Sequence, residues 1–227
     1  ALARADEPAW GVVMAGLGLA LLLSLALALV VGLFALRVQA IFYAMITLAV
    51  ASSFAVLASQ LSDFTGGEDG VTFSVPHVLS PAYRLVEHEV FGRHLDGRLL
   101  TYYVVFFGCL LLFLFLLRLV NSPFGRVLQA IRENAFRAEA LGYRTMVYRI
   151  WANVLAALTA SLAGALMALW LRYVGPKTSL GFEVMTDILL IDVIGGMGTM
   201  YGAVVGATLF ILAQNYLKDW MAHGAAA

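Results

Sequence analysis

GVVMAGLGLALLLSLALALVVGLFAL, residues 11–36, is a run of 26 residues without a single formal charge. A helix rises about 1.5 Å per residue, so this run exceeds the ~20 residues that cross a ~30 Å hydrocarbon core. Trp10 at its edge suits an interfacial anchor. The composition agrees, because 62% of the 227 residues are hydrophobic and 12% charged, with a mean hydropathy of +0.90. A soluble domain holds about 45–50% apolar residues. Further apolar runs follow at Ile41–Gln60, Leu99–Leu117, Ile150–Leu171 and Met200–Leu217, with Lys218 just past the last. The run at Ile41–Gln60 carries Thr47, Ser52, Ser53, Ser59 and Gln60, so it is expected to face protein rather than lipid. Phe182–Ile194 has 13 residues, only about 20 Å of helix, and is expected to be re-entrant or half-membrane. The expected fold class is all-α, a polytopic integral membrane protein with about five to six segments, at least one of them short.

Net formal charge is zero, so only the placement of charge is informative. Between Leu117 and Ile150 stand Arg118, Arg126, Arg132, Arg137, Arg144 and Arg149 against Glu133 and Glu139, which by the positive-inside rule puts residues 121–149 in the cytoplasm. Counting back one helix makes 61–98 an external loop, with Asp63, Glu68, Asp69, Glu87, Glu89 and Asp96 against Arg84, Arg93 and Arg98. Arg37 then falls inside and the N-terminus outside. The chain opens on Ala1 with neither a basic n-region nor a cleavage pattern, so a truncated N-terminus is expected rather than a signal peptide. Cys109, the single cysteine, reads as apolar filler and excludes an intrachain disulfide.

SPFGRVLQAIRENAFRAEALGYR, Ser122–Arg144, is polar sequence between two apolar spans. Ser122 followed by Pro123 predicts a capped helix start. Phe124, Val127, Leu128, Ile131, Ala135 and Ala138 recur at three and four residues, giving one apolar face, and Glu133 and Arg137 stand at i,i+4. Asn134 predicts the cap of a second helix, Ala135–Leu141, with Gly142 as its terminator. Two readings stand. Either the segment is a connector whose arginines meet topology and anionic headgroups, or it docks a cytoplasmic partner through the small residues around Glu139.

Small residues recur elsewhere. Ala152, Ala156, Ala160, Gly164 and Ala168 repeat every four residues and predict a ridge packed on both sides. Gly195 and Gly196 predict a helix break, and Gly198, Gly202 and Gly206 a second ridge, for packing or for gating. Thr65–Gly70, TGGEDG, reads as a turn whose N–H groups either stay local or meet an anion. Asp187 and Asp192 are candidate intramembrane acids, Asp192 either functional or bonding N–H groups freed at the break; Glu183 reads as solvated.

Other chemistry lacks its residues. VGPKTS, Val174–Ser179, has Pro176 where a phosphate loop needs glycine, so ATP hydrolysis falls to another chain. His77, His88, His94 and His223 show no metal-ligand spacing, so no metal site is expected, and no nucleophile motif is present.

From about Ile41 to Leu217 the three motifs SPFGRVLQAIRENAFRAEALGYR, TGGEDG and GGMGTMYGAVVGA together resemble permease subunits of ABC importers for branched-chain amino acids and related compounds, a family that includes urea and amide permeases. The resemblance implies one permease domain over residues 1–227, although family members carry more membrane sequence before the equivalent of Gly11. It implies that 121–149 is the region coupled to an ATPase, through Arg132, Glu133, Ala135, Arg137, Glu139, Ala140, Leu141 and Gly142. Gly66, Gly67, Asp69 and Gly70 would stand near an external gate, and Asp192 departs from an expected apolar position. It further implies no enzyme activity and no cofactor on this chain, with ATP and Mg on partner ATPase subunits. The other implied partners are a second related permease, an external substrate-binding protein and membrane lipid, without nucleic acid, in the bacterial inner membrane. The competing readings are an ion-gradient-driven secondary transporter using Asp187 or Asp192, and a structural membrane anchor. Leucine-type amino acids, amides, urea and aromatic acids all remain open as substrates.

Overall fold

The computed structural model describes residues 10–35, 40–73 and 97–224. Arg37 and residues 74–96 of the expected 61–98 loop, with His77, His88, His94 and the Glu87–Glu89 run, lie outside the described residues. The chain forms two compact units, Ala1–Gly175 and Pro176–Ala227.

The first unit runs α1 (Trp10–Ala35), α2 (Ala40–Gln60), the single turn α3 (Ser62–Thr65), a 3-10 turn at Gly67–Asp69, β1 (Val71–Thr72), α4 (Gly97–Val120), α5 (Pro123–Glu133), α6 (Ala135–Ala140), α7 (Thr145–Leu171) and β2 (Tyr173–Val174). The second runs α8 (Pro176–Ser179), α9 (Phe182–Gly195) and α10 (Met200–Gly224). Among the described residues five helices, in α1, α2, α4, α7 and α10, are long and apolar enough to cross a membrane, as the sequence runs predict. At 14 residues, or about 21 Å, α9 is the short one. Among the described apolar side chains only Ala28, Ile131, Ala138 and Val154 are buried, and no large side chain is fully so. An outer surface this rich in Leu and Phe requires lipid or further protein around it.

α7 is the hub of the first unit, packed on α1 and on α4. Asn153 in α7 clamps two neighbours: its Nδ2 donates to the Ala28 carbonyl of α1 at 2.8 Å, and its Oδ1 accepts from the Tyr43 hydroxyl of α2 at 3.3 Å. Ser24 of α1 reciprocates, donating to the Ala157 carbonyl at 3.0 Å. Against α4 the helices approach closely at Gly108, where an added Cβ would lie 2.9 Å from the Leu166 methyl carbons.

The alanine and glycine ridge on α7 is not the packed face. Ala156, Ala160 and Gly164 are exposed, and a Cβ at Gly164 would meet nothing within 4 Å. The cause is geometric, since four residues advance a helix by 400°, so the ridge drifts about 40° per step and about 160° from Ala152 to Ala168. No straight neighbour can follow it. Contacts form instead through Asn153, Val154, Ala157 and Leu166. The polarity of α2 is likewise absorbed locally. Thr47, Ser53 and Ser59 donate to carbonyls three or four residues back, at 2.8–3.0 Å, so they do not require a protein-facing helix.

One feature departs from helix throughout: β1 and β2 pair antiparallel, with Val71 opposite Val174 and Thr72 opposite Tyr173. The pair ties the TGGEDG turn to the end of α7. Gly70 makes this possible, because at φ +69 a Cβ there would lie 2.6 Å from the Val174 carbonyl oxygen.

In the second unit α9 and α10 meet backbone to backbone. A Cβ on Gly195 would fall 2.0 Å from the Gly202 carbonyl oxygen, and one on Gly206 would fall 2.2 Å from that of Ile191. Between the helices Gly196 and Gly198 hold φ of +90 and +104.

Gly202→Ala and Gly206→Ala, which place a methyl against backbone that cannot yield, are expected to lower thermal stability in detergent by about 1–3 kcal/mol each. Gly164→Ala, with open space around it, should leave the melting curve within about 1 kcal/mol of wild type. Asn153→Leu, which abandons Ala28 and Tyr43 together, should cost roughly 1–2 kcal/mol in the same measurement.

Candidate functional site

Among the described residues the α5–α6 segment is a polar stretch that is capped and packed. Ser122 has extended backbone and its Oγ accepts from the Gly125 N–H at 3.3 Å, with Pro123 at the first helical position. Gly125 is buried where the chain turns off α4, since a Cβ there would lie 2.1 Å from the Val120 carbonyl oxygen. The face read from the sequence is the packed one: Ile131 and Ala138 are buried, and Phe124, Val127, Leu128 and Ala135 half-buried. Phe124 stacks on Tyr148 of α7 at 5.6 Å, and Tyr143 meets Tyr148 edge-on at 6.0 Å.

At Asn134 the backbone leaves the helical region, φ −158 and ψ 100, and its side chain accepts from the Arg137 N–H at 3.0 Å to start α6. This break interrupts the continuous helical register on which an i,i+4 pairing of Glu133 with Arg137 depends. α6 ends in two hydrogen bonds, Gly142 N–H to the Glu139 carbonyl at 2.9 Å and Tyr143 N–H to the Ala138 carbonyl at 3.2 Å, with Gly142 at φ +91. That is the terminator for which glycine is favoured.

Glu139 is exposed but bonded across to the next helix. Its Oε1 accepts from the hydroxyl of Thr145, the first residue of α7, at 2.5 Å. This anchor starts α7 ahead of the apolar run at Ile150. Arg132, Glu133, Arg137 and Ala140 are exposed, and Ala135 is half-buried. Two apolar side chains stand out on this polar segment: Phe136 is 81% exposed and Leu141 73%. Phe136 was missed from sequence because its neighbours at three and four residues are polar or small, so it joins no periodic face. Its signal is an unmatched aromatic immediately after a helix cap.

The other candidate residues fall in separate places. In the TGGEDG turn, Gly66 N–H bonds the Ser62 carbonyl and Gly67 N–H the Thr65 hydroxyl, so these two donors are already engaged. Gly67 is buried and Asp69 exposed. Asp187 is half-buried, four residues before Ile191 on the face of α9 that meets α10. Asp192 is exposed beside Ile188, Leu189 and Val193. The helix break after Gly195 is closed by Thr199 rather than by Asp192, its Oγ1 accepting from the Gly202 N–H at 3.2 Å as the cap of α10. Among the described residues no three His, Cys, Asp or Glu side chains converge as metal ligands.

Comparison with known proteins gives this arrangement a context. The family model described as branched-chain amino acid transport system / permease component matches residues 3–224. The high-affinity branched-chain amino acid transport system permease protein LivM of Salmonella typhimurium is 27% identical over 216 residues, 90% of this chain and 51% of that protein. Its counterpart in Escherichia coli is 26% identical over 211 residues, 88% of this chain and 49% of that protein. The autoinducer 2 import system permease protein LsrC of Yersinia pseudotuberculosis is 35% identical over 98 residues, 41% of this chain and 27% of that protein. The chain thus spans about half the length of the LivM proteins it matches. No solved structure matches it. With a family match over nearly its whole length and five helices able to span a bilayer, this multi-pass inner-membrane protein belongs to the branched-chain amino acid transport permease family, whose members are ABC transporter permease subunits.

Proposed function

We propose that the chain serves as permease subunit of an ATP-driven importer for branched-chain or related amino acids, working with cytoplasmic ATPase subunits, a second related permease and an external substrate-binding protein. The observation that carries this reading is α6, a helix capped at both ends, bonded to the start of α7 through Glu139 and Thr145, and presenting Phe136 and Leu141. Exposed apolar side chains on a rigid, capped helix are what a partner's groove engages. The arginines of the segment favour its cytoplasmic placement, where an ATPase would meet it. In this reading Arg132, Glu133, Arg137 and Ala140 rim the contact, ATP and Mg stay on the partner, and Gly66, Gly67, Asp69 and Gly70 lie at the external side. Closure of the ATPase dimer then biases a two-state membrane domain through α6, because a ligand shifts only an equilibrium for whose states it has different affinities. Branched-chain amino acids are favoured over autoinducer 2 as the solute class, since the LivM matches extend over about 90% of the chain and the LsrC match over 41%.

Phe136→Asp and Leu141→Asp are expected to weaken copurification of the ATPase subunit at least about 30-fold, the scale of a lost hot spot, and to abolish substrate-stimulated ATP hydrolysis. Wild-type coupling in both variants would refute the docking role. Thr145→Val should behave differently, keeping the ATPase bound while the substrate-stimulated fraction of hydrolysis falls, because it loosens α6 from α7 without altering the docked surface. Uptake into membrane vesicles should require ATP absolutely, and uptake driven by an ion gradient alone would instead favour secondary transport through Asp187 or Asp192.

A further inference from the structure

α2 and α7 are tied to each other at two levels. Near the start of α2 the Tyr43 hydroxyl donates to Asn153 Oδ1 at 3.3 Å, while Asn153 Nδ2 holds the Ala28 carbonyl of α1. Past the end of α2 the TGGEDG turn and the β1–β2 pair bridge to the end of α7. The rise from Tyr43 to Gln60 is about 26 Å, and that from Asn153 to Leu171 about 27 Å. Spacing so closely matched lets both ties close at once without bending either helix.

The outer tie is built from both sides. Toward α2, Thr65 Oγ1 lies 2.5 Å from the Ala58 carbonyl oxygen and 2.8 Å from that of Leu61, and it accepts from the Gly67 N–H at 3.3 Å. Gly67 is buried there, and a Cβ on it would lie 3.5 Å from the Ser59 carbonyl oxygen. Toward α7, the Arg172 N–H donates to the Ala168 carbonyl at 2.8 Å, at φ 56, as the chain turns from α7 into β2. The Arg172 carbonyl accepts from the Phe73 N–H at 3.3 Å, just past β1. A Cβ on Gly70 would fall 2.7 Å from the Gly175 Cα and 2.8 Å from the Tyr173 hydroxyl, so the turn sits directly on β2.

Two helices joined at one point can pivot about it, whereas two joined at both levels keep their angle. We propose that α1, α2 and α7 form a rigid frame whose β1–β2 strap stays closed through the transport cycle, so that motion delivered to α7 at Thr145 carries α2 with it. The source of that motion rests on the coupling reading above; the frame itself rests on the two ties. The external opening that import requires then lies outside the β1–β2 pair.

Crosslinking across the strap tests this. Phe73 bonds Arg172, so in the alternating antiparallel pattern Val71 and Val174 form the next hydrogen-bonded pair, about 5.5 Å between Cα atoms. A disulfide spans that separation. Both valines are exposed, and Cys109 is first replaced by alanine. V71C/V174C in the assembled transporter, oxidised with copper phenanthroline in membrane vesicles, is expected to crosslink at rates within about twofold with and without ATP and Mg. ATP-driven uptake of labelled leucine by the fully crosslinked protein should stay within about twofold of that after reduction. G70A, which forces the pair apart, should slow crosslinking of the same cysteines and lower uptake together, each at least about fivefold. A crosslinking rate that changes about fivefold or more with nucleotide, or uptake lost on oxidation and restored by dithiothreitol, would make the pair a gate that opens and overturn the frame. Wild-type uptake in G70A despite slowed crosslinking would overturn it as well. If the wild type takes up no leucine with ATP, the proposed function falls, and the crosslinking rates of V71C/V174C with and without G70A still decide whether the strap is closed.

Discussion

A peptide group inside a bilayer has no water to bond, so each place where a helix bends, breaks or touches another must supply its own donors and acceptors. The chain answers with a few short-range devices. Asn153 spends its amide on α1 and α2, making one side chain the meeting point of three helices. Thr47, Ser53, Thr159 and Thr208 return their hydroxyls to the preceding turn of their own helix. At the α9–α10 junction Thr199 closes the break that Gly195 and Gly196 open. Where no side chain is used, glycine lets backbones touch directly, as at Gly202 and Gly206.

Features that depend on a few consecutive residues were legible from the sequence. The apolar runs matched the five long helices, Ser122 and Asn134 both cap, and Gly142 ends α6 with positive φ. Features that depend on residues far apart were not. Asn153 reads as one polar residue in an apolar run, and only the packed structure shows its partners 125 and 110 positions away. The β1–β2 pair joins residues about a hundred apart and is two residues long on each side, too short for any alternating pattern to register. The ridge on α7 misled because a repeat of four resembles one face of a helix over two steps and not over five residues spread along the span.

The candidate site shows the same division. Caps placed α5 and α6 from local chemistry, but the role of Glu139 depended on Thr145, six residues on and in another helix. The resemblance placed Glu139 and Leu141 in one coupling region. Both side chains are exposed, and Glu139 additionally bonds Thr145 at the start of α7. A short helix fixed at its base and apolar at its tip can pass a displacement onward without absorbing it, which a solvated connector of equal length cannot do.

α7 then acquires a mechanical meaning. It is one unbroken helix of 27 residues, about 40 Å long, bonded at its start to α6 and continuing at its end into β2. Tilted by about 5° around its first turn, a rod of that length carries its far end roughly 3.5 Å sideways. The strand pair would take the TGGEDG turn along with it, because Gly70 leaves no slack against Val174. In the proposed coupling α7 would serve as a lever arm, with its fulcrum near Thr145 and its load at the β1–β2 pair.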